Sequence, residues 1–204
     1  IMSVLKNYIQ TTKIKVIESY LIMLGILHNE MHNEAFIFTL FNYKSKVNYP
    51  LINYQYQEPI ITNINFIDYP GGEFIQGSEE QTNKLVFDNE MPNFKVVVKD
   101  FSISQYPITE SMFIEFIKNN GYQHKKYWCR NGYIWIQKNN IKLPKYWQYR
   151  EGTYFKEINN ELYCCETNLP MSNISYYEAC AYCKFKKVRL PTETEYEYCA
   201  TNMG

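Results

Sequence analysis

The 204-residue chain lacks any run of about eighteen apolar residues, the length that reads as a membrane span. Its opening Ile1-Met2-Ser3-Val4-Leu5-Lys6 also lacks the basic start, apolar stretch and small-residue cleavage site of a secretory signal. These two absences give the expectation of a soluble, cytoplasmic protein with no membrane partner. An excess of one charge is missing as well: 21 basic residues stand against 21 acidic ones. No bulk field therefore draws the chain toward nucleic acid or an anionic surface, and no local basic cluster substitutes for one. Ala, Arg and Gly are scarce beside Ile, Asn, Tyr and Lys, the bias that A+T-rich coding produces. Internal repeats and low-complexity tracts are absent. What is present is 46% hydrophobic and 21% charged residues, enough apolar material for one large domain or two small ones. Cys129, Cys164, Cys165, Cys180, Cys183 and Cys199 lie inside regular hydrophobic patterns in a chain too large to depend on disulfides, and are read as free thiols. Ile1 is not an initiator and Gly204 follows an unclosed helical pattern, so a fragment truncated at both ends is expected.

Apolar residues recur at helical spacing from Lys13 to about Lys44, with Leu21, Leu24, Met31, Ala35 and Phe38 keeping largely to one side; Gly25 is the candidate break point. A stretch rich in Tyr, Asn and Pro follows without helical period and reads as an extended linker over 46–66. Short strands are expected around Ile64 to Tyr69, then a turn at Pro70-Gly71-Gly72 and a second strand at Glu73 to Gln76. Phe94, Val96 and Val98 alternate with Lys95, Val97 and Lys99, as in a half-buried strand running on toward Ile103. Thr109 is placed to cap a helix carrying Met112, Phe113, Phe116 and Ile117 on one face and ending at Gly121. The aromatic segment from Tyr122 to Tyr163 reads as loops and short strands. Ser175 with Glu178, and Thr192 with Glu195, form two capping boxes that open the last two helices. The class is α+β, with units at 1–45 and 67–204.

Chemistry concentrates at His28-Asn29-Glu30-Met31-His32-Asn33-Glu34, which holds two of the three histidines. On a helix these imidazoles lie one turn and about 40° apart, close enough to share a metal ion. Asn29 stands where a zinc protease has its general base, so that chemistry is excluded. Glu34 falls about 200° from His32, too far to reach the same ion, and reads as an outer-sphere or structural carboxylate. The alternative is a pair of partly buried, hydrogen-bonded histidines in a bundle. Cys180 and Cys183 have no second ligand pair to make a zinc site, and packing on a helix face is the plainer reading. Trp128, Tyr133, Trp135, Tyr146 and Trp147 read as a core under long loops rather than a nucleic-acid platform. Asp88-Asn89-Glu90 allows a hard cation or, more simply, a turn closed by the Asp side chain. His124 is read as solvated.

Two segments, Gly71-Gly72-Glu73-Phe74-Ile75-Gln76-Gly77-Ser78 and Arg189-Leu190-Pro191-Thr192-Glu193-Thr194-Glu195-Tyr196-Glu197, resemble hallmarks of the formylglycine-generating-enzyme (sulfatase-modifying factor) domain. Phe87-Asp88-Asn89-Glu90-Met91-Pro92, Gly121-Tyr122 leading to Tyr127-Trp128, and Pro144-Lys145-Tyr146-Trp147 are similar to the ergothioneine-type sulfoxide synthase branch. The upstream His28-x-x-x-His32-x-Glu34 resembles that branch's DinB-like helical domain. Together they cover nearly the whole chain in the family's order.

The resemblance implies part of a DinB-like bundle at 1–45 and the N-terminal part of a C-type-lectin-like domain at 67–204. It implies that His28 and His32 are two of three histidine ligands to iron(II), with Glu34 the trailing carboxylate. The family's third ligand and catalytic tyrosine match nothing here and are expected outside this chain, so catalytic and substrate-binding residues are not assigned. The implied reaction joins a cysteine-type thiol, cysteine or γ-glutamylcysteine, to the imidazole of trimethylhistidine with O₂, leaving a sulfoxide. Met31 stands where some members carry a substrate-contacting Gln, and Tyr196 replaces the usual Trp. Three alternatives share the scaffold: the histidine–cysteine sulfoxide synthase of ovothiol synthesis, a formylglycine-generating enzyme, and a non-catalytic binding module.

Overall fold

The structure, a computed structural model, describes residues 2–11, 13, 15–42, 61, 63–79, 85–158, 161–165 and 168–202. The linker read at 46–66 lies mostly outside the described residues. The chain divides into two compact units, residues 1–43 with 74–96, and residues 44–73 with 97–204. Helices and strands are mixed along the chain, the α+β class expected.

The first unit opens on a helix that the sequence reading did not anticipate, α1 (Met2–Thr11), followed by α2 (Val16–Asn42). Glu18 fixes the start of α2. One carboxylate oxygen accepts the backbone N–H of Lys15 at 2.8 Å and the other accepts the hydroxyl of Tyr8 at 3.3 Å. Gly25 does not break the helix; its cost of about 1 kcal/mol is small beside a 27-residue element. The single apolar stripe expected for α2 is also corrected. Val16, Ile17, Ile26 and Phe36 are all exposed, and at 100° per residue they are spread around most of the circumference. The side chain of Phe38 lies outside the described set.

Strand β2 (Gly72–Gln76) pairs with β3 (Phe94–Val98), and a short 3₁₀ turn at Asp88–Glu90 lies between them in sequence. Glu90 accepts the N–H of Phe87 at 3.1 Å, and Asp88 accepts that of Asn89 at 3.0 Å. These carboxylates therefore close the turn, as the plainer reading had it. Gly77 holds φ +82°, and a Cβ there would stand 2.9 Å from the carbonyl oxygen of Glu90, so only glycine meets both demands.

In the second unit β1 (Phe66–Tyr69) pairs antiparallel with β4 (Phe101–Ser104), Tyr69 opposite Phe101. Pro70-Gly71 is thus not a hairpin turn: it passes the chain from one ladder to another. The strand expected to run unbroken from Phe94 to Ile103 is interrupted at Lys99-Asp100. Helix α3 (Glu110–Lys118) starts as expected, with Thr109 Oγ1 accepting the N–H of Met112 at 3.3 Å. Its buried Phe113 and Phe116 join Tyr122, Trp128, Ile136 and Tyr182 in the main core. Each such side chain contributes about 1.5–3 kcal/mol of apolar burial. The left-handed residue past this helix is Asn120 (φ 57°), not Gly121. Gly121 is there because a Cβ would come within 2.3 Å of the Phe116 ring.

The region read as aromatic loops contains a further helix, α4 (Arg130–Lys138), and an antiparallel sheet of β5 (Trp147–Arg150), β6 (Thr153–Ile158) and β7 (Glu161–Cys164). The start of α4 was hidden because its cap is a thiol: Cys129 Sγ accepts the N–H of Gly132 at 3.3 Å. Helices α5 (Tyr176–Lys186) and α6 (Glu193–Asn202) complete the unit. A second apolar cluster gathers Ile114, Trp147, Tyr154 and Cys165. The aromatic run is therefore divided, with Trp128 in one core and Trp147 in the other.

Candidate functional site

On α2, His28 and His32 occupy adjacent turns with ring centroids 4.5 Å apart. Both are exposed, so the alternative of buried, hydrogen-bonded bundle histidines does not describe them. Neutral imidazoles suit divalent iron, as they suit zinc, copper or nickel, and this pair fits two positions of such an ion. Among the described residues no group of three or more His, Cys, Asp and Glu is able to hold a metal. The pair is thus a competent but incomplete donor set. Glu34 is exposed and turned about 200° away from His32 on the same helix. Asn33, between them, donates to Glu30 at 3.3 Å.

In the second unit the most organised polar site is buried. Glu178, only 2% exposed, accepts the Tyr122 hydroxyl at 2.5 Å on one oxygen. Its other oxygen accepts the backbone N–H of Ser175 at 2.7 Å and the Ser175 hydroxyl at 2.8 Å, while Ser175 Oγ accepts the N–H of Glu178 at 3.2 Å. The expected capping box is therefore formed and extended by a phenol 56 residues away in sequence. Burial, then the adjacent Glu178 charge and hydrogen bond, drive the Tyr122 hydroxyl far above the usual phenol range. This phenol is a fixed donor. Trp128 locks the same corner by donating to the carbonyl of Gly121 at 2.9 Å.

The second box is also formed. Glu195 accepts the N–H of Thr192 at 2.8 Å, and Thr192 accepts the N–H of Glu195 at 3.2 Å. Arg189 adds a bidentate clamp, with contacts of 2.7 and 2.5 Å to the two carboxylate oxygens. That clamp, against the opposing effect of burial, holds the Glu195 carboxyl down at about 2. A second ion pair joins Lys156 to the buried Glu110 at 2.5 Å. Beside it the fully buried Cys165 thiol is raised to about 12, first by burial and then by the Glu110 charge. All six cysteines are free. Cys180 and Cys183 are partly buried on α5, and burial raises the Cys183 thiol. His124 is exposed and lies edge-to-face with Tyr127, 6.0 Å between centroids.

Residues 56–204 match the family described as the sulfatase-modifying factor enzyme 1-like domain. The chain belongs to that family. Among its relatives are the hercynine oxygenases of Mycolicibacterium smegmatis, 31% identical over 133 residues, and Mycobacterium tuberculosis, 30% identical over 126 residues. Those matches cover 63% and 61% of this chain but 29% of each relative, so the chain spans less than a third of their length. The inactive C-alpha-formylglycine-generating enzyme 2 of mouse is 27% identical over 160 residues, covering 71% of this chain and 48% of that protein. Within the family domain, the segments around Gly71 to Ser78 and Arg189 to Glu197 serve the fold. Gly71 lets strands approach, since a Cβ would lie 2.2 Å from the Val98 carbonyl oxygen, and Arg189 fixes the start of α6. His28 and His32 precede the matched region. No helix among the described residues is long and apolar enough to cross a membrane.

The sequence reading brought His28 and His32 forward correctly as neighbours on one helix. It had Glu178 and Glu195 only as caps. Of their partners, Tyr122 lies 56 residues from Glu178 and carries no local signal, whereas Arg189 stands just before the second box.

Proposed function

We propose that the complete protein is a non-haem iron, O₂-dependent oxygenase of the sulfoxide synthase type, joining a cysteine-type thiol to the imidazole of trimethylhistidine. The similarity to two proteins named hercynine oxygenase, hercynine being trimethylhistidine, carries this reading. The one-turn spacing of the two exposed imidazoles on α2 supports it. On this reading residues 1–45 belong to a DinB-like bundle and 67–204 to a domain of C-type-lectin-like fold. His28 and His32 supply two iron ligands, and Glu34 supports the site from its outer sphere. Iron held there would supply O₂ activation and lower the pKa of a thiol substrate. The chain's own part is to present two imidazoles one turn apart on a single helix. Cytoplasmic location and small-molecule partners, with neither nucleic acid nor membrane, complete the proposal.

The test supplies the complete protein with iron(II), O₂, trimethylhistidine and either cysteine or γ-glutamylcysteine, and looks for a thiol–imidazole sulfoxide by mass spectrometry. Product with histidine alone moves the assignment to the ovothiol-type reaction. Conversion of a sulfatase-peptide cysteine to an aldehyde overturns it. The similarity to a relative named inactive favours one second reading, a non-catalytic binding module. Wild-type iron content in both His28→Ala and His32→Ala would remove these residues from the site.

A further inference from the structure

The chain is neutral as a whole, but its charges are sorted. Residues 116–150 carry eight basic side chains and no acidic one, and residues 176–187 carry Lys184, Lys186 and Lys187 against the single carboxylate of Glu178. Eleven of the 21 basic residues therefore lie in these two stretches, which corrects the expectation that no local basic cluster exists. The fold brings the stretches together. Tyr127, in a 3₁₀ turn at Lys125–Tyr127, meets the Phe185 ring of α5 at 5.5 Å between centroids. Helix α4 closes on the start of α5, where a Cβ on Gly132 would stand 3.1 Å from that of Tyr177, and Trp135 lies 5.8 Å from the Tyr177 ring. Glu178 is 2% exposed and engaged by Tyr122 and Ser175, so it offers no negative charge at this surface. Glu115 takes one of the cations, Lys186, at 2.6 Å. Glu58, Glu80 and Glu166 lie outside the described residues and are too few to cancel the rest, wherever they stand.

On α4, Arg130, Ile134 and Lys138 follow one another at four-residue intervals, turning only about 80° over about 12 Å, on the side away from the buried Gly132 and Ile136. All three are exposed, Ile134 by 53%. Lys125 reaches the flank of the same helix, its Nζ 5.6 Å from the Tyr133 ring centre, and Lys126 lies over Tyr127 at 4.9 Å. Exposed Lys184 and Lys187 continue the cations at the end of α5. None of these six cations pairs with a carboxylate among the described residues. The surface is thus a run of positive charge with one aliphatic side chain in its midst. Nucleic acid is a poorer complement, because lysines already cover the faces of Tyr133 and Tyr127, and Lys186 lies over Phe185 at 5.3 Å, leaving bases little to stack on. A bilayer is poorer still, since the apolar side of α4, with Ile136 1% exposed, is packed into the main core and has nothing to insert. Carboxylates on a polypeptide are the complement that asks for neither.

We propose that this surface docks an acidic segment of a partner protein, an aliphatic residue of that segment seated on Ile134 and its flanking carboxylates on Arg130 and Lys138. The test titrates the full chain into fluorescein-labelled acetyl-Glu-Asp-Glu-Leu-Glu-Asp-Glu and reads anisotropy, with Gln-Asn-Gln-Leu-Gln-Asn-Gln as the neutral control. Saturable binding is expected with the acidic peptide and not with the control. It should weaken about tenfold as salt rises from about 0.01 to about 0.15 M, where the screening length falls from about 30 to about 8 Å. The Arg130→Gln/Lys138→Gln variant should bind about tenfold more weakly with unchanged circular dichroism, and Ile134→Ser should bind several-fold more weakly. Lys95→Gln/Lys99→Gln removes the same charge from outside this surface and should bind as the parent does. No saturable binding, equal binding of the neutral peptide, undiminished affinity in Arg130→Gln/Lys138→Gln, or an equal loss in Lys95→Gln/Lys99→Gln overturns the proposal. So does tighter binding of oligouridylate or of phosphatidylglycerol vesicles, or self-association of the chain that Arg130→Gln/Lys138→Gln abolishes.

Discussion

Replacing Tyr122 with Phe removes one oxygen and leaves the ring in the main core, so no cavity opens and the loss isolates one hydrogen bond. The hydroxyl donates at 2.5 Å to Glu178, a carboxylate 2% exposed whose other oxygen is taken by Ser175. Without the phenol, one carboxylate oxygen is left buried and unsatisfied. Hydrogen bonds to charged groups are worth about 1.5–3 kcal/mol, so Tyr122→Phe should cost about 2 kcal/mol. At about 2–4 °C per kcal/mol for a domain of this size, Tm should fall by about 4–8 °C. Glu178→Gln should lose a similar amount by a different route. The amide has only one acceptor for two donor partners, and its NH₂ must face either the Ser175 N–H or the Tyr122 hydroxyl. In the double variant the NH₂ turns toward the phenyl ring that replaces the phenol and meets no competing donor. Its loss should therefore fall short of the sum of the two by about 0.5 kcal/mol or more. Urea denaturation with matched m-values measures all three. A Tyr122→Phe loss below about 0.5 kcal/mol, or strict additivity, would refute the claim that this pair anchors the loop before α4 to the start of α5.

Acid should expose the Arg189 clamp. Glu195 is held at about 2, below its ordinary value of about 4.3, so its contribution is present above pH 4.3 and lost as pH falls toward 2. Arg189→Gln should flatten that part of the stability profile, and an unchanged urea midpoint from pH 5 to 3 in the parent would contradict it. Gly121→Ala forces a Cβ into the Phe116 ring, and a thermal melt should show a loss of about 1–3 kcal/mol. A Cys180→Ala/Cys183→Ala variant of the complete protein should keep its metal content and turnover, with only a modest packing loss; a specific loss of metal with the fold intact would assign these thiols a function.

Local patterns were the legible part. Thr109, Ser175 and Thr192 announced three helix starts, because a cap and its N–H partner lie within three residues of one another and need no tertiary context. The spacing of His28 and His32 was equally local, since helical geometry alone brings side chains four apart together. Hidden features broke local rules. Helix α4 opens on a cysteine cap and carries Gly132, where a Cβ would stand 3.1 Å from that of Tyr177, so propensity gave no warning of it.

The mixed class, the capped helices, the neighbouring imidazoles and the motifs by which the family is recognised all rest on contacts a few residues long or on the order of short segments. Tertiary structure alone decided which aromatics share a core, that Tyr122 completes the buried carboxylate of Glu178, and that Pro70-Gly71 joins two ladders instead of folding one back. It also decided that Tyr146 takes a left-handed φ of 69°. The physical reason is desolvation. A buried carboxylate, phenol or strained backbone is tolerated only when groups distant in sequence satisfy or pack against it, and those partners exist only once the chain has folded.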